Sequence, residues 1–240
     1  MITVASFGGG TDSTAMLIGM WQRQEPVDLI LFADTGGEKP HTYEHIKRFS
    51  AWLVERGMPE IEILKNDRRK MPTLEEDCLH YKRLPSIAYG FKSCSVEWKI
   101  KPVDRRLKGI PHIKLVGYDA TEKRRAEKGE YLNNRYPLIE WGWTRKTCIE
   151  VIESVGLPLP GKSACFFCPS SKAQEVKQLA KEYPDLAKRA IAMEKNAILT
   201  DIKGLGRDYS WADLIEFDEK QLKLIDSDWS TAEVPCGCFE

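Results

Sequence analysis

Four short runs of apolar, mostly β-branched residues punctuate the first half of the chain: Ile2–Ser6, Val27–Ala33, Ile61–Leu64 and Ile113–Val116. Continuous apolar character, rather than strict alternation, marks strands that are covered on both faces. Between the first two runs, Ser13–Gln24 sets Ala15, Met16, Ile18, Gly19 and Met20 at roughly helical spacing. Between the second and third, His41–Arg56 puts Tyr43, Ile46, Phe49, Trp52 and Leu53 on one stripe and stops at Gly57. Strand–helix–strand–helix–strand predicts an α/β fold with a parallel sheet and right-handed crossovers. The stretch Asp67–Phe91 has no clean period and reads as loop plus a short helix. Beyond Thr144 the pattern turns helical, over Arg145–Val155, Ser170–Lys181 and Asp185–Asn196, punctuated by Leu157–Gly161 and Tyr183-Pro184. The expected organisation is an α/β domain over residues 1–140 and a helical, cysteine-containing region over 141–240 packed on it.

Composition narrows the class. With 240 residues, 42% hydrophobic, the chain can bury one substantial core with an appendage, or two small ones. Its 36 basic and 36 acidic side chains cancel, which argues against a protein whose whole surface binds nucleic acid. The charge is unevenly placed, however. Lys65–Lys146 holds 20 Lys/Arg against 11 Asp/Glu, and Asp201–Glu240 holds 4 against 10. Two readings stay open: ordinary solvated faces, or a basic surface around an anionic ligand with an acidic tail covering it. A local basic face of that kind leaves nucleic acid open as a partner. No run approaches the ~18 apolar residues of a membrane span, and the opening MITVASFGGG lacks the layout of a signal peptide. A soluble, cytoplasmic protein without a membrane partner is expected. In that compartment seven cysteines read as ligands, redox thiols or core residues rather than disulfides.

The most informative segment runs from Ser6 through Gly8, Gly9, Gly10, Thr11, Asp12 and Ser13 to Thr14, directly after the first strand and before the first helix. Three successive glycines let backbone amides approach an anion, and the hydroxyls of Ser13 and Thr14 add donors where a helix start already favours phosphate. A carboxylate beside phosphate is repulsive unless a cation lies between them, so Asp12 points to bridging Mg2+. No Lys-Ser/Thr follows the glycines, which excludes the Walker pattern.

These residues carry a resemblance. Gly-Gly-Gly-Thr-Asp-Ser resembles the pyrophosphate loop (PP-loop) of the N-type ATP pyrophosphatases, with Gly8 where a serine is usual and Ser6 close by. The block from Phe32 through Asp34, Thr35 and Glu38 to Tyr43 resembles phosphoadenylylsulfate (PAPS) reductases and their relatives, as do Gly117–Arg125 and the stretch around Cys94, Lys99 and Pro102. Four blocks in order span roughly Met1 to Phe167. The resemblance implies a Rossmann-like adenine-nucleotide α-hydrolase domain that binds ATP at the carboxyl ends of its strands. It implies phosphate contacts from the glycine turn, nucleotide or metal contacts from Asp34, Thr35, Glu38, Gly117 and Glu122, and neutralisation of charge at the α-phosphate by Arg125, with Arg124 or Lys123 as the alternatives.

Cys165-Phe166-Phe167-Cys168 is a Cys-x-x-Cys pair, which redox, zinc and iron–sulfur sites all use. The resemblance to iron–sulfur reductases and DNA phosphorothioation proteins adds Cys94, and Cys148 completes an expected 4Fe-4S ligand set. The reductases have paired cysteines in the earlier block, whereas here Ser93 and Ser95 flank Cys94. A rival zinc site would join Cys165 and Cys168 to Cys236 and Cys238, and a third reading makes Cys236-Gly237-Cys238 a working thiol tail. Cys78 reads as an ordinary buried or loop residue. His41 and His45, one helical turn apart, have no evident third ligand, and Trp141 and Trp143 read as core rather than as a base-stacking pair.

Three functions follow. The resemblance favours an ATP pyrophosphatase that adenylates an acceptor for sulfur insertion, as in DNA phosphorothioation, with a cysteine desulfurase as sulfur donor. The alternatives are a phosphoadenylylsulfate or adenylylsulfate reductase, and a nucleotide-binding module without turnover. The sequence names neither the acceptor nor the oligomeric state.

Overall fold

The computed structural model describes residues 1–127 and 133–218. Strand β1 (Ile2–Ser6) leads into helix α1 (Thr11–Gln22), then β2 (Leu29–Asp34), α2 (Pro40–Val54) and β3 (Ile61–Lys65). Short helices follow: α3 (Leu74–His80), α4 (Ser93–Ser95), a π-helical turn at Val96–Ile100, and α5 (Lys101–Arg106). Then come β4 (His112–Val116), α6 (Lys123–Glu127), β5 (Asn134–Arg135), α7 (Pro137–Glu140) and α8 (Arg145–Ser154). Further along come α9 (Ala173–Glu182) and α10 (Pro184–Asn196).

All the strand pairs are parallel, in the order β3-β2-β1-β4-β5. Side chains alternate across the sheet, and both faces are covered. Ala5, Ile30 and Phe32 join Met16, Leu17, Phe49, Trp52 and Ile152 in one core, while Val4, Leu31 and Ala33 meet Val103 and Leu107 in the other. That is why the strand runs are apolar throughout. β1 lies between β2 and β4, so chain order reverses direction there, and such a switch leaves a crevice at the strand ends.

The four expected strands and five expected helices are present, with ends shifted by a few residues. β5 escaped the pattern because its two residues, Asn134 and Arg135, are polar and pair only with Lys114 and Leu115 at the sheet edge. The expected boundary at 140/141 is not where the structure divides. One unit comprises Met1–Asp77 and Lys92–Cys165, the other Cys78–Phe91 and Phe166–Glu240. Helix α8 belongs to the first unit, because Cys148 and Ile152 are fully buried in its core. In the second unit, Val176 and Leu179 of α9 and Ala190 and Met193 of α10 are buried, as is Cys78. There the buried Glu194 carboxylate accepts from the amides of Leu205 (2.7 Å), Trp211 (2.9 Å) and Ala212 (3.2 Å).

Candidate functional site

The turn between β1 and α1 sits at the switch point. Gly9 adopts φ +72°, the left-handed region that glycine enters without strain. The first helical bond runs from the Thr14 amide to the Gly10 carbonyl, 3.1 Å. The amides of Thr11, Asp12 and Ser13 precede it and have no carbonyl within the helix, as at any helix start. Gly117, just after β4, comes so close to α1 that a Cβ there would lie 2.9 Å from both Cα and N of Ser13. Only glycine allows the end of β4 to approach the turn in this way.

Ser13 and Thr14 do not present their hydroxyl protons outward. Both donate to the Gly10 carbonyl, at 3.1 and 2.9 Å, and Ser13 Oγ accepts from the Gly8 amide at 3.2 Å. The expected hydroxyl donors instead brace the turn, which leaves backbone amides as its anion-binding groups. Asp12 stands at its mouth. Its Oδ2 accepts from Arg145 Nη1 at 2.8 Å, while Oδ1 is buried without a hydrogen-bond partner. Burial pushes the Asp12 carboxyl above the usual range; Arg145 opposes this, and Asp119 and Glu122 add to it.

Beside the turn lies a cavity of about 220 Å³ at the carboxyl ends of the strands. Ser6, Phe7 and Gly8 line it with Phe32, Ala33, Lys99, Lys114, Tyr118, Arg125, Asn134 and Tyr136. Tyr118 and Tyr136 stack with centroids 5.4 Å apart, and the Arg125 guanidinium lies 4.3 Å above the Tyr118 ring. Arg125 also pairs with Glu122 at 2.7 Å. The site therefore combines free helix-start amides, three cationic side chains and an aromatic pair.

The carboxylates after β2 are placed differently from expectation. Asp34 Oδ1 accepts from the Gly36 amide and from Tyr43 Oη, each at 2.8 Å, so it shapes its own loop rather than facing the cavity. Thr35 is buried, accepting from the Gly37 amide at 3.2 Å and touching Cys165 Sγ at 3.1 Å. Glu38 has a fully buried side chain paired with Lys99 Nζ at 2.9 Å. Glu38 thus braces Lys99, while Asp34 and Thr35 hold the loop after β2. Trp141 and Trp143 pack against the α1 core, under Arg23.

Sequence reasoning missed Arg145, and weighed His45 only with His41 as a metal pair. Arg145 opens α8, where the helix dipole disfavours a cation; that misfit was a readable sign of an acidic partner elsewhere. His45 falls on the α2 row with Phe49 and Trp52, and it is buried against Thr14 with Nε2 2.9 Å from Oγ1.

Magnesium fits the residues present. Mg2+ takes one or two carboxylates together with substrate phosphates, and the orphaned Asp12 Oδ1 supplies such a ligand at the turn. A cluster with Cys148 as ligand does not fit. Burial, then Asp12 and Asp119, push the Cys148 thiol up to about 12, and it is fully buried at the edge of the α1 core, against Asp12. A cysteine ligates metal as the thiolate. Cys94 is half-buried on α4, Cys165 lies against Thr35, and Cys168 belongs to the second unit. Among the described residues no three His, Cys, Asp or Glu side chains are grouped to hold a metal ion. Cys236 and Cys238, needed for the zinc and thiol-tail readings, lie outside the described residues, as do residues 219–240 of the acidic tail.

A glycine turn at the switch point of a doubly covered parallel sheet, opening on a cationic and aromatic cavity, defines an α/β protein of the Rossmann-like kind. The chain belongs to the phosphoadenosine phosphosulfate reductase domain family, whose model matches residues 2–149, more than half of its length. That membership supports nucleotide-dependent sulfur chemistry by an enzyme of the PP-loop and sulfur-transfer kind. No curated protein matches the chain. Among solved structures it is similar to the U34-tRNA thiolase NcsA from Methanococcus maripaludis with its 4Fe-4S cluster. The two are 14% identical with a TM-score of 0.46, over 100% of this chain and 76% of that one. No described helix is long and apolar enough to cross a membrane.

Proposed function

We propose that the protein is an ATP pyrophosphatase that adenylates an acceptor for sulfur insertion. The observation that carries this reading is Asp12: a carboxylate with one buried, unpartnered oxygen at the start of a helix whose first amides are free for phosphate. The amides of the glycine turn hold the β- and γ-phosphates, and Asp12 would hold Mg2+, which would offset the negative charge of the phosphates. Tyr118 and Tyr136 offer an aromatic wall for the adenine ring. Arg125, and Lys99 held by Glu38, meet the negative charge that grows at the α-phosphate as an acceptor oxygen attacks it and diphosphate leaves. The acceptor then carries AMP as a leaving group for sulfur. The excess of basic residues in Lys65–Lys146 favours a nucleic-acid acceptor, DNA phosphorothioation being the case the sequence blocks resemble, with a cysteine desulfurase as sulfur source.

Incubation with labelled ATP and Mg2+ tests this. AMP and pyrophosphate are expected as products, and ADP or unchanged ATP in the presence of candidate acceptors would refute it. The family's own description favours one second reading, reduction of phosphoadenylylsulfate. Sulfite released from that compound by a thiol donor, without ATP consumption, would establish it instead.

A further inference from the structure

Thr14 has one hydroxyl proton, and Oγ1 gives it to the Gly10 carbonyl at 2.9 Å. The same oxygen lies 2.9 Å from His45 Nε2, so the imidazole must be the donor there and the ring carries its proton on Nε2. Gly10 O thus receives three donors: Thr14 Oγ1, Ser13 Oγ and the Thr14 amide. A trans peptide is planar, with its carbonyl and its N–H pointing opposite ways. Anchoring Gly10 O into the helix therefore turns the Thr11 N–H outward from it. His45 is itself held, stacked on Phe49 at 5.6 Å and 10° and set against Phe7 at 6.3 Å. Burial, helped by Arg48 and His41, lowers its pKa to about 4, so at neutral pH it brings a single N–H donor and no net charge.

We infer that His45 is a positioning residue of the glycine turn: through Thr14 it fixes the Gly10–Thr11 peptide so that the Thr11 N–H faces a bound diphosphate. It touches no ligand. The inference rests on the reading of the turn as a diphosphate site given above.

The test is calorimetric titration of the full chain with inorganic pyrophosphate plus Mg2+, and separately with AMP. His45→Leu should weaken pyrophosphate about tenfold, the scale of one lost hydrogen bond to the turn, and leave AMP affinity unchanged. His45→Gln, which keeps an N–H near the Nε2 position, should recover most of the loss. Thr14→Val should show the same selective loss, and Thr14→Val/His45→Leu should be no worse than either single variant. A core histidine with only a packing role would lower thermal stability but leave pyrophosphate binding by the folded protein unchanged. Pyrophosphate affinity within about twofold of wild type in His45→Leu, equal losses for both ligands, or additive losses in the double variant would overturn the inference. Should His45→Leu not fold, Thr14→Val decides alone: without a selective pyrophosphate loss there, the relay does not exist. A wild-type protein that fails to bind pyrophosphate removes the diphosphate reading and this inference together, whereas normal wild-type binding with unaffected variants removes only this one.

Discussion

Arg145 Nη1 and Asp12 Oδ2 stand 2.8 Å apart, joining the first residue of α8 to the second residue of α1. The pair partly offsets a burial that otherwise disfavours the Asp12 carboxylate. Its position explains two oddities at once: a cation at a helix start, and an acid beside a phosphate-seeking turn.

Asp12→Asn separates stability from activity. Because the folded carboxyl is raised above its unfolded value, the native state holds the proton more tightly. Asp12 therefore costs the fold stability as pH rises from the unfolded pKa through the raised, folded one. The thermal midpoint of Asp12→Asn at pH 7 should match or exceed wild type, while Mg2+-dependent turnover falls by roughly two orders of magnitude or more. Calorimetry and product analysis check both; retained turnover would remove the metal role.

Arg145→Met should move the acidic limb of the pH–rate profile upward. Arg145 is what lowers the Asp12 pKa against burial, Asp119 and Glu122, so its loss lets the carboxyl protonate at higher pH. A profile that merely scales down, with its limb unmoved, would show that Asp12 ionisation does not limit the reaction.

Cys148 should behave as a core thiol. With its folded pKa pushed up to about 12, well above the ordinary thiol range, it favours the folded state below that ordinary range, and this contribution is lost as pH climbs toward 12. Alkaline destabilisation should thus be smaller in Cys148→Ala. That variant should cost about 1 kcal/mol at neutral pH through the small cavity it leaves. The Cys148 thiol should resist alkylation until the protein unfolds, and any metal bound by the purified protein should remain at wild-type stoichiometry. Loss of metal in Cys148→Ala, measured by mass spectrometry, would restore it as a ligand.

Gly117→Ala probes the crevice. The added Cβ would meet Ser13 backbone atoms at 2.9 Å, so β4 and α1 must part. Overpacking of this kind costs about 1–3 kcal/mol, and the displaced turn should weaken ATP binding well beyond the effect on folding. Titration of ATP into the folded variant reads this directly; unchanged affinity would place the nucleotide away from the β4 end.

The sequence on its own determined the order of β1–β4 and of the longer helices, because residues buried on both faces must be apolar whatever the surrounding detail, while the polar β5 escaped it. It also placed the glycine turn, since free amides after a strand and before a helix are a local property of Gly8, Gly9 and Gly10. What each polar side chain does was settled only by tertiary structure. Asp34, Thr35 and Glu38 look like ligands when read along the chain, yet their partners are Tyr43, Cys165 and Lys99, contacts spanning 9, 130 and 61 residues. Cys148 looks like a ligand until α8 turns it into the core, and Arg145 and His45 gain meaning only once α8 and α2 close on α1. Periodicity records which residues are buried. Which buried polar groups meet depends on how distant segments pack, and no local spacing encodes that.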